Sequence, residues 1–367
     1  MNLSILWDVI AFIVMFGLLV VFHEGGHYLI ARANGIKVYE FTVGIGPKII
    51  HFKVGETEFS IRLLPFGGAC IFENLDEADE EDENKENEEK LVADLESDKK
   101  NKNFNDAPVF ARIATVFAGP LFNVILAFLI GLFVCFFSVE HSTVISKVME
   151  GFPAEAAGLQ AGDKIISIDG EKVYLFEEIS IHFFLDNPDV VDVVYVRDGK
   201  KYSTQIVPTN DEEHGRIIGI VGTNESCKNL SVFKYSFYEV RFWLKMTFKG
   251  LKMLFTGKLT KDDLAGPVGM TILIDDTIKT SQTYGLMNVI INLAYLSLAL
   301  SINIGIMNLI PFPALDGGRL VLLFFEAITG KPVPKKAEAI ITIVGFACLV
   351  LLSIFVLGND ITKIFRR

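Results

Sequence analysis

The hydrophobic residues of this 367-residue chain are gathered into long runs that no charged residue interrupts. Residues 113–139, 280–315 and 339–359 contain no Asp, Glu, Lys or Arg. Each run exceeds the ~20 residues that an apolar helix needs to cross a bilayer. A wholly soluble protein is therefore excluded.

A further apolar stretch, Val9–Phe22, lies near the N-terminus. A signal peptide carries positive charge before such a stretch. Here the one charged residue before the stretch is Asp8, and the first positively charged residue after it is Arg32. The stretch is therefore interpreted as a retained first span. The four predicted spans lie at about residues 5–30, 110–138, 286–315 and 339–358.

Positively charged residues flank the predicted spans unevenly. They are concentrated between spans one and two and between spans three and four, and are sparse near the membrane between spans two and three. Because Lys and Arg favour the cytoplasmic side, residues 31–110 and 316–338 are expected on that side of the cell membrane. Both termini and residues 139–285 are expected outside, although Lys363, Arg366 and Arg367 argue for the opposite orientation.

The segment after the first span has two parts. Residues 37–72 are rich in Val, Ile, Phe and Thr, which predicts three short strands, KVYEFTV, KIIHFKV and TEFSIRLL. Breaks are expected at Gly44, Gly46, Pro47 and Gly55. Residues 73–107 form an acidic insert that is expected to be solvated and disordered, with a plain spacer as the simplest role. Residues 73–98 hold 14 Asp and Glu against two Lys, and the whole chain has a net charge of −11. The remainder is thus nearly neutral, and no basic surface suggests nucleic acid.

Residues 141–210 have the pattern of a small α+β domain. In the stretch Gly158–Gly170, Gly162-Asp163 precedes a buried strand and Asp169-Gly170 suits a hairpin turn. This core resembles a PDZ domain, which implies binding of an extended peptide or a C-terminus by strand addition. A structural cap without a bound peptide is the alternative.

Residues 233–256 favour an amphipathic helix. One helical face carries Lys234, Arg241, Lys245, Lys249 and Lys252, and aromatic and Leu residues occupy the rest. This pattern is typical of a helix that lies in the membrane interface. A basic helix that binds a soluble partner is the alternative.

The strongest chemical motif is HEGGH, His23-Glu24-Gly25-Gly26-His27, at the end of the first span. On a helix, residues i and i+4 share a face, so both imidazoles can bind one zinc ion, and Glu24 can take a proton from the attacking water. Ionisable residues within a membrane span are costly, which favours a functional role.

A catalytic zinc site needs a third protein ligand and one open position. The candidates are Asp316, His51, His141, His182 and His214. The alternation of the spans places Asp316 at the same side as His27, places the last three His outside, and leaves His51 within the predicted strands. Asp316 as a simple N-cap of the following helix is the alternative.

Taken together, the motifs resemble those of the site-2 protease family, intramembrane zinc metalloproteases of the RseP (regulator of sigma-E protease) type. The matching motifs are HEGGH, Phe117–Asn123 (FAGPLFN), the PDZ-like core, Leu264–Gly269 (LAGPVG) and Asn308–Gly318 (NLIPFPALDGG). The expected fold is an α-helical polytopic membrane protein with four spans, a membrane-associated β-hairpin or sheet and an inserted α+β PDZ domain. A single PDZ domain, in place of a tandem pair, is a departure from the family pattern.

The resemblance also implies roles for individual residues. Asp316 is the expected third ligand of one zinc ion per chain, Glu24 the catalytic base, and Asn123 and Asn308 the neighbours of the active site. Asn123, Asn308, Pro311 and Pro313 are the candidates for substrate contact. The expected substrates are transmembrane segments, for example of anti-sigma factors or remnant signal peptides, trimmed beforehand by another protease. The lipid bilayer is the other expected partner.

The expected segments follow from these assignments. They are a first span (1–36), a membrane-reentrant β region (37–72), the acidic insert (73–107), a second span (108–140), the PDZ domain (141–210), an interfacial helix with linker (211–285), a third span with the LDGG loop (286–338), and a fourth span with tail (339–367).

Two other functions remain open. The first is a non-catalytic, PDZ-bearing membrane adaptor. The second is a zinc peptidase of an unrelated membrane type, whose later glutamate ligand would have to be Glu326.

Overall fold

The computed structural model describes residues 3–72, 102–211, 215–227, 229–258 and 266–366. The helices are α1 (Leu3–Ala33), α2 (Val109–Phe137), α3 (Pro153–Ala156), α4 (Phe176–Asp186), α5 (Ser231–Phe255), α6 (Pro267–Gln282), α7 (Leu286–Asn308), α8 (Asp316–Thr329) and α9 (Lys335–Arg366).

The strands are β1 (Glu40–Val54), β2 (Thr57–Ile71), β3 (Val139–Val148), β4 (Lys164–Ile168), β5 (Glu171–Lys172), β6 (Val191–Arg197), β7 (Lys200–Ile206), β8 (Thr209–Asp211), β9 (Gly215–Ile217) and β10 (Ile220–Ser226). The chain divides into two compact units, one of residues 1–127 with 247–367 and one of residues 128–246.

Within the described residues, four helices are long and apolar enough to span a membrane, namely α1, α2, α7 and α9. The four predicted spans are therefore confirmed. The third ends earlier than expected, at Asn308 and not near residue 315. Pro311 has no backbone N–H for a helical hydrogen bond, which disfavours continuation of α7, and the seven residues that follow α7 form a loop in which Ala314 adopts a positive φ of 75°.

In the first unit, β1 and β2 form an antiparallel hairpin of two 15-residue strands, not three short ones. The expected breaks at Gly44 and Gly46 are bulges with φ of 93° and 100°, so the strand bends there without ending. The bend places residues 40–43 between residues 58–61 and residues 68–71, and the latter form an edge of the curled sheet. This edge packs on α1.

Residues 73–101 of the acidic insert lie outside the described residues. The expected boundary at residue 107 is wrong, because residues 102–107 are ordered and packed. Phe104 is 1% exposed, and its ring stacks on Phe72 with centroids 5.0 Å apart. An aromatic side chain that reaches the apolar cluster of Ala31, Ile36 and Leu320 fixes this end of the insert.

The N-terminus of α6 is capped by a residue from the fourth span. The carboxylate of Asp360, which is 2% exposed, accepts hydrogen bonds from the backbone N–H groups of Gly266 and Gly269 at 3.0 and 2.9 Å. A side-chain oxygen usually fulfils this role from the N-cap position itself, which here is glycine. Gly266–Gly269 thus has a structural function, and Leu264 and Ala265 of the same motif lie outside the described residues.

In the second unit, a sheet with the strand order β10-β3-β4-β6-β7 carries an apolar core, and β5 pairs with β4. Asp169 and Gly170 both have positive φ in the predicted hairpin turn. Asp163, 1% exposed, forms an ion pair with Arg197 at 2.6 Å and accepts the backbone N–H of Gln160. The domain extends beyond the expected limit at residue 210, because β10 pairs with β3.

The first part of α5 packs inside this unit. Arg241 donates to the buried carboxylate of Glu178 at 2.8 Å and lies 4.6 Å from the centre of the Tyr174 ring. Lys245 contacts Glu171. Arg241 and Lys245 of the basic face thus contact carboxylates of the inserted domain, and the interfacial position predicted for this helix stays a prediction.

Candidate metal centre

The two histidines of HEGGH lie on one face of α1, as their spacing predicts, and both are buried. His23 is 8% and His27 6% exposed. Gly26 allows α2 to approach, because a Cβ there would lie 2.5 Å from the carbonyl oxygen of Ala118, whereas a Cβ on Gly25 would meet nothing within 4 Å. One of the two glycines thus serves helix packing.

Asp316 is the first residue of α8 and is held by the loop that precedes it. A Cβ on Gly317 would lie 2.2 Å from the carbonyl oxygen of Ile310, and one on Gly318 would lie 2.4 Å from that of Phe312. Glycine is required at both positions for the helix to start against the loop. The N-cap of α8 is Leu315, with no side-chain cap, so the carboxylate of Asp316 is directed elsewhere.

The structure brings His23, His27 and Asp316 together. The Oδ2 atom of Asp316 lies 3.1 Å from Nε2 of His23 and 3.3 Å from Nε2 of His27. The two Nε2 atoms are 3.3 Å apart. Among the described residues, this is the one group of three potential ligands whose donor atoms converge in this way.

The donor set fits a small divalent metal ion. A tetrahedral ion with ligand bonds of about 2.0–2.1 Å needs ligand atoms roughly 3.3–3.4 Å apart, close to the separations observed. Oδ2 of Asp316 is buried, and no hydrogen-bond partner is found for it among the described residues. A cation bound between the two Nε2 atoms and Oδ2 would remove the repulsion between their lone pairs. Two imidazoles with one carboxylate suit zinc.

His27 is held in position by α2. Its Nδ1 donates a hydrogen bond of 2.9 Å to the carbonyl oxygen of Thr115. Since a carbonyl can only accept, the proton is on Nδ1 and the lone pair of Nε2 is directed to the cluster. Such outer partners fix the tautomer of a metal-binding histidine. Sequence reasoning missed Thr115, because a backbone carbonyl has no signature in the sequence.

Asn123 and Asn308 both contact His23. Asn123 is fully buried, with Nδ2 3.2 Å from Nδ1 of His23. Nδ2 of Asn308 lies 3.5 Å from Nε2, the nitrogen that faces the cluster. The two asparagines therefore lie on opposite sides of the same imidazole.

Glu24 lines the same cavity as the three candidate ligands. The cavity has a volume of about 470 Å³ and is also lined by Asn308, Arg319 and residues 67–70 of the hairpin edge. The Glu24 carboxylate lies within reach of the backbone N–H of Cys70. Gly68 allows this approach, because a Cβ there would lie 2.8 Å from Cγ of Glu24.

Pro311 and Pro313 line a second cavity, also of about 470 Å³, whose opposite wall includes Glu338 and Thr342. Both cavities share Asp316 and Arg319. The guanidinium of Arg319 lies 4.3 Å from the centre of the Phe104 ring. No sequence pattern singled out Arg319, which directly follows the LDGG motif.

The remaining candidate ligands lie elsewhere. His51 is exposed and contacts Glu58, and His182 contacts Asp169 and Asp186. His141 has no described side chain, and His214 lies outside the described residues. Glu326 forms a partly buried ion pair with Arg112, with Nη1–Oε2 of 3.0 Å. The structure therefore does not bring Glu326 to the cluster.

Fold and site together define a polytopic membrane protein with a buried metallopeptidase-type centre, and comparison with known proteins agrees. The profile of Peptidase family M50 matches residues 11–352, and the chain belongs to this family. It is similar to the regulator of sigma-W protease RasP of Bacillus subtilis, with 34% identity over 97% of this chain and 99% of that protein. It is 32% identical to the zinc metalloprotease RasP of Geobacillus kaustophilus, over 98% of each chain.

Part of the chain is similar to solved PDZ domains. One is the PDZ domain of an SdrC-like protein from Listeria innocua, which is 28% identical over 22% of this chain and 92% of that chain, with a TM-score of 0.20. Another belongs to the corresponding protein of Listeria monocytogenes, 26% identical over 23% of this chain and 87% of that chain, also with a TM-score of 0.20.

These findings confirm the family resemblance and the peptidase class that the motifs predicted. The spans, the hairpin and the inserted α+β domain confirm the predicted fold class.

Proposed function

We propose that this protein is an intramembrane zinc metalloprotease that cleaves transmembrane segments of membrane proteins. The observation that carries the proposal is the convergence of Nε2 of His23, Nε2 of His27 and Oδ2 of Asp316 within 3.3 Å, beside Glu24, with both histidines in the first candidate membrane span. Buried ionisable groups at this depth are costly without a function.

His23, His27 and Asp316 would hold one zinc ion per chain. When bound, zinc supplies a Lewis acid that polarises the scissile carbonyl and activates water at neutral pH. Three protein ligands leave one position for water or substrate. The names of the relatives, zinc metalloproteases, support the choice of metal.

Glu24 is the general base and then the general acid. Its carboxylate takes a proton from the attacking water as the water oxygen bonds to the carbonyl carbon. It returns this proton to the amide nitrogen as the C–N bond breaks, which leaves a carboxylic acid and an amine. The contact with the backbone N–H of Cys70 orients the carboxylate for both steps.

Substrate must reach the site in an extended form, because the peptide bonds of a helix are hydrogen-bonded internally. Residues 68–71 form a sheet edge beside Glu24 and suit main-chain pairing with an unwound segment. The amide of Asn308, close to Nε2 of His23, is placed to donate to the carbonyl oxygen under attack. Asn123 would support His23 from the side away from substrate. Pro311 and Pro313 would contact substrate from the adjoining cavity.

The proposed substrates are transmembrane proteins trimmed beforehand by another protease, such as anti-sigma factors, and remnant signal peptides. The name of the Bacillus relative, a regulator of sigma-W protease, supports this class. Both termini and the inserted domain lie outside the cell membrane in this proposal, and the site opens toward the cytoplasmic side, as the distribution of Lys and Arg favours.

The decisive experiment uses the purified full-length protein in detergent. Zinc content is measured by elemental analysis, and cleavage is followed on a model substrate with one transmembrane segment. One zinc per chain with cleavage inside the segment supports the proposal. Absence of cleavage by the zinc-loaded protein would contradict the proteolytic function. It would favour the alternative, a non-catalytic membrane adaptor that binds peptides through its PDZ-like domain.

The inserted domain is proposed to screen substrates by binding a peptide or C-terminus, or by size alone. The test compares cleavage of a long and a trimmed version of one membrane substrate by the intact enzyme and by a variant that lacks residues 141–226. Gain of cleavage of the long form, with the trimmed form unaffected, supports screening. Equal slowing of both forms shows that the domain supports folding or catalysis.

A further inference from the structure

The side-chain amide of Asn123 has an unbalanced set of contacts in the middle of α2. Nδ2 faces Nδ1 of His23 at 3.2 Å, while Oδ1 is buried and has no hydrogen-bond partner among the described residues. A buried polar atom without a partner is destabilising, because it has lost its hydrogen bonds to water and gained none in the protein. A side chain in this state, with no exposure at all, points to an arrangement completed in another state of the site.

His27 indicates what that state requires. Its Nδ1 donates to the carbonyl oxygen of Thr115, so its Nε2 offers a lone pair to the metal position. Nε2 of His23 lies 3.1 Å from Oδ2 of Asp316, the carboxylate oxygen that Nε2 of His27 also contacts. For Nε2 of His23 to be a ligand, the proton of the neutral ring must likewise be on Nδ1, and Nδ1 then needs an acceptor.

A half-turn of the Asn123 amide about its terminal bond supplies this acceptor. We infer that Asn123 is a positioning residue whose Oδ1 accepts the Nδ1–H of His23 in the metal-bound site, which fixes the tautomer and the orientation of that ligand. This inference rests on the proposed zinc site but not on proteolysis. It assigns Asn123 to the metal ligand and not to direct contact with substrate.

The surroundings of Asn123 keep its backbone in register with His23. The hydroxyl of Ser301 donates to the Asn123 carbonyl oxygen at 2.7 Å. A Cβ on Gly305 would lie 3.2 Å from Cβ of Asn123 and 3.0 Å from the carbonyl oxygen of Pro120. Helix α7 therefore holds α2 at the level where the amide meets the imidazole.

The test measures zinc affinity of the full-length protein by competition with a chromogenic chelator. Asn123→Leu keeps the size and removes the acceptor, and should weaken zinc binding by about 10–100-fold, the usual effect of an outer-shell partner. Asn123→Asp restores an acceptor and should return affinity to the wild-type range. Asn292→Leu is the matched control, because Asn292 donates to Ser281 between α6 and α7; it should leave zinc affinity unchanged.

A second measurement needs no variant. In zinc-loaded protein labelled with ¹⁵N-histidine, Nδ1 of His23 should give the signal of a protonated nitrogen. An unprotonated Nδ1, or wild-type zinc affinity in Asn123→Leu, would overturn the inference, as would equal losses in the Leu and Asp variants. Failure of the wild-type protein to bind zinc would instead overturn the proposed function.

Discussion

Gly119 faces His27 so closely that a Cβ at this position would lie 2.2 Å from Nε2 of the imidazole. The ring cannot withdraw, because its Nδ1 is hydrogen-bonded to Thr115 on the same helix. Glycine in the middle of a helix costs about 1 kcal/mol relative to alanine. The absence of a side chain at residue 119 therefore serves the site at the expense of the helix.

Substitution of Gly119 by Ala should displace His27 and reduce zinc affinity and cleavage together, although alanine is the better helix former. Zinc content after dialysis and cleavage of a transmembrane substrate measure this effect. Gly17→Ala is the control, because a Cβ there meets nothing within 4 Å. Retention of both properties in Gly119→Ala would show that α2 can move away from the site.

The variant Glu24→Gln should retain zinc and lose cleavage. The three ligand side chains are untouched, but an amide cannot accept the proton from water, and general-base catalysis typically contributes 10²–10⁴-fold. Parallel measurement of zinc stoichiometry and of the cleavage rate separates the two effects. Cleavage at more than about a tenth of the wild-type rate would remove Glu24 from the mechanism.

Asp316 and Glu326 should respond differently to substitution. Asp316→Ala should lower zinc content, whereas Glu326→Ala should leave the ligand set intact and destabilise the protein. Removal of one partner of a fully buried ion pair costs about 3–5 kcal/mol, and a smaller loss is expected for Arg112 and Glu326, whose side chains are 9% and 16% exposed. Thermal unfolding and zinc analysis are carried out on both variants. Loss of zinc in a folded Glu326→Ala protein would show that Glu326 contributes to the metal site, contrary to the assignment of Asp316.

Deletion of residues 76–100 should leave folding and basic proteolysis intact. The acidic composition of this segment provides few apolar residues for a core. The stacked rings of Phe72 and Phe104 hold together the two chain segments that flank the deletion. Phe104→Ala should destabilise the protein by about 3–5 kcal/mol. Unfolding temperatures of the two variants, compared with that of the intact chain, test both statements.

The stability of the inserted domain should fall in acid because of Asp163. Burial opposes ionisation of this carboxyl, but hydrogen bonds from Arg197 and from the Gln160 backbone outweigh it, and the pKa of Asp163 is lowered. The unfolded chain, with a pKa of about 3.9, then binds the proton first. The stabilisation is present above that pH and is lost as the pH falls below it.

Hydrogen exchange in β4 and β6 measures this effect, after correction for the intrinsic pH dependence of exchange. Protection should be greater in the wild-type protein than in Asp163→Asn at pH 6, and the two should converge below about pH 4. A difference that stays constant with pH would show that the ion pair makes no titratable contribution.

The sequence was sufficient for those features in which one residue type has one physical meaning. Uncharged runs identified the spans, and the spacing of His23 and His27 identified one helical face. Asp316 needed the alternation of the spans and the family resemblance, because its ligand partners lie almost 300 residues earlier in the chain.

Other features depend on packing that no local pattern encodes. Gly44 and Gly46 looked like strand ends, yet the hairpin continues through them as bulges. Residues 102–107 follow an acidic stretch, and only the tertiary cluster around Phe104 shows that they are ordered. The cap on α6 was not predictable either, because its carboxylate comes from another helix.

This cap has a consequence for the biosynthesis of the protein. Asp360 lies 94 residues after Gly266. Because a ribosome adds about 5–20 residues per second, the Asp360 carboxylate is synthesised roughly 5–19 s after the N-terminus of α6. During this time, the backbone N–H groups at its N-terminus have no partner from the fourth span. A chain that ends before residue 360 therefore keeps this helix end without its cap, so the last turn of the fourth span completes a helix made about 90 residues earlier.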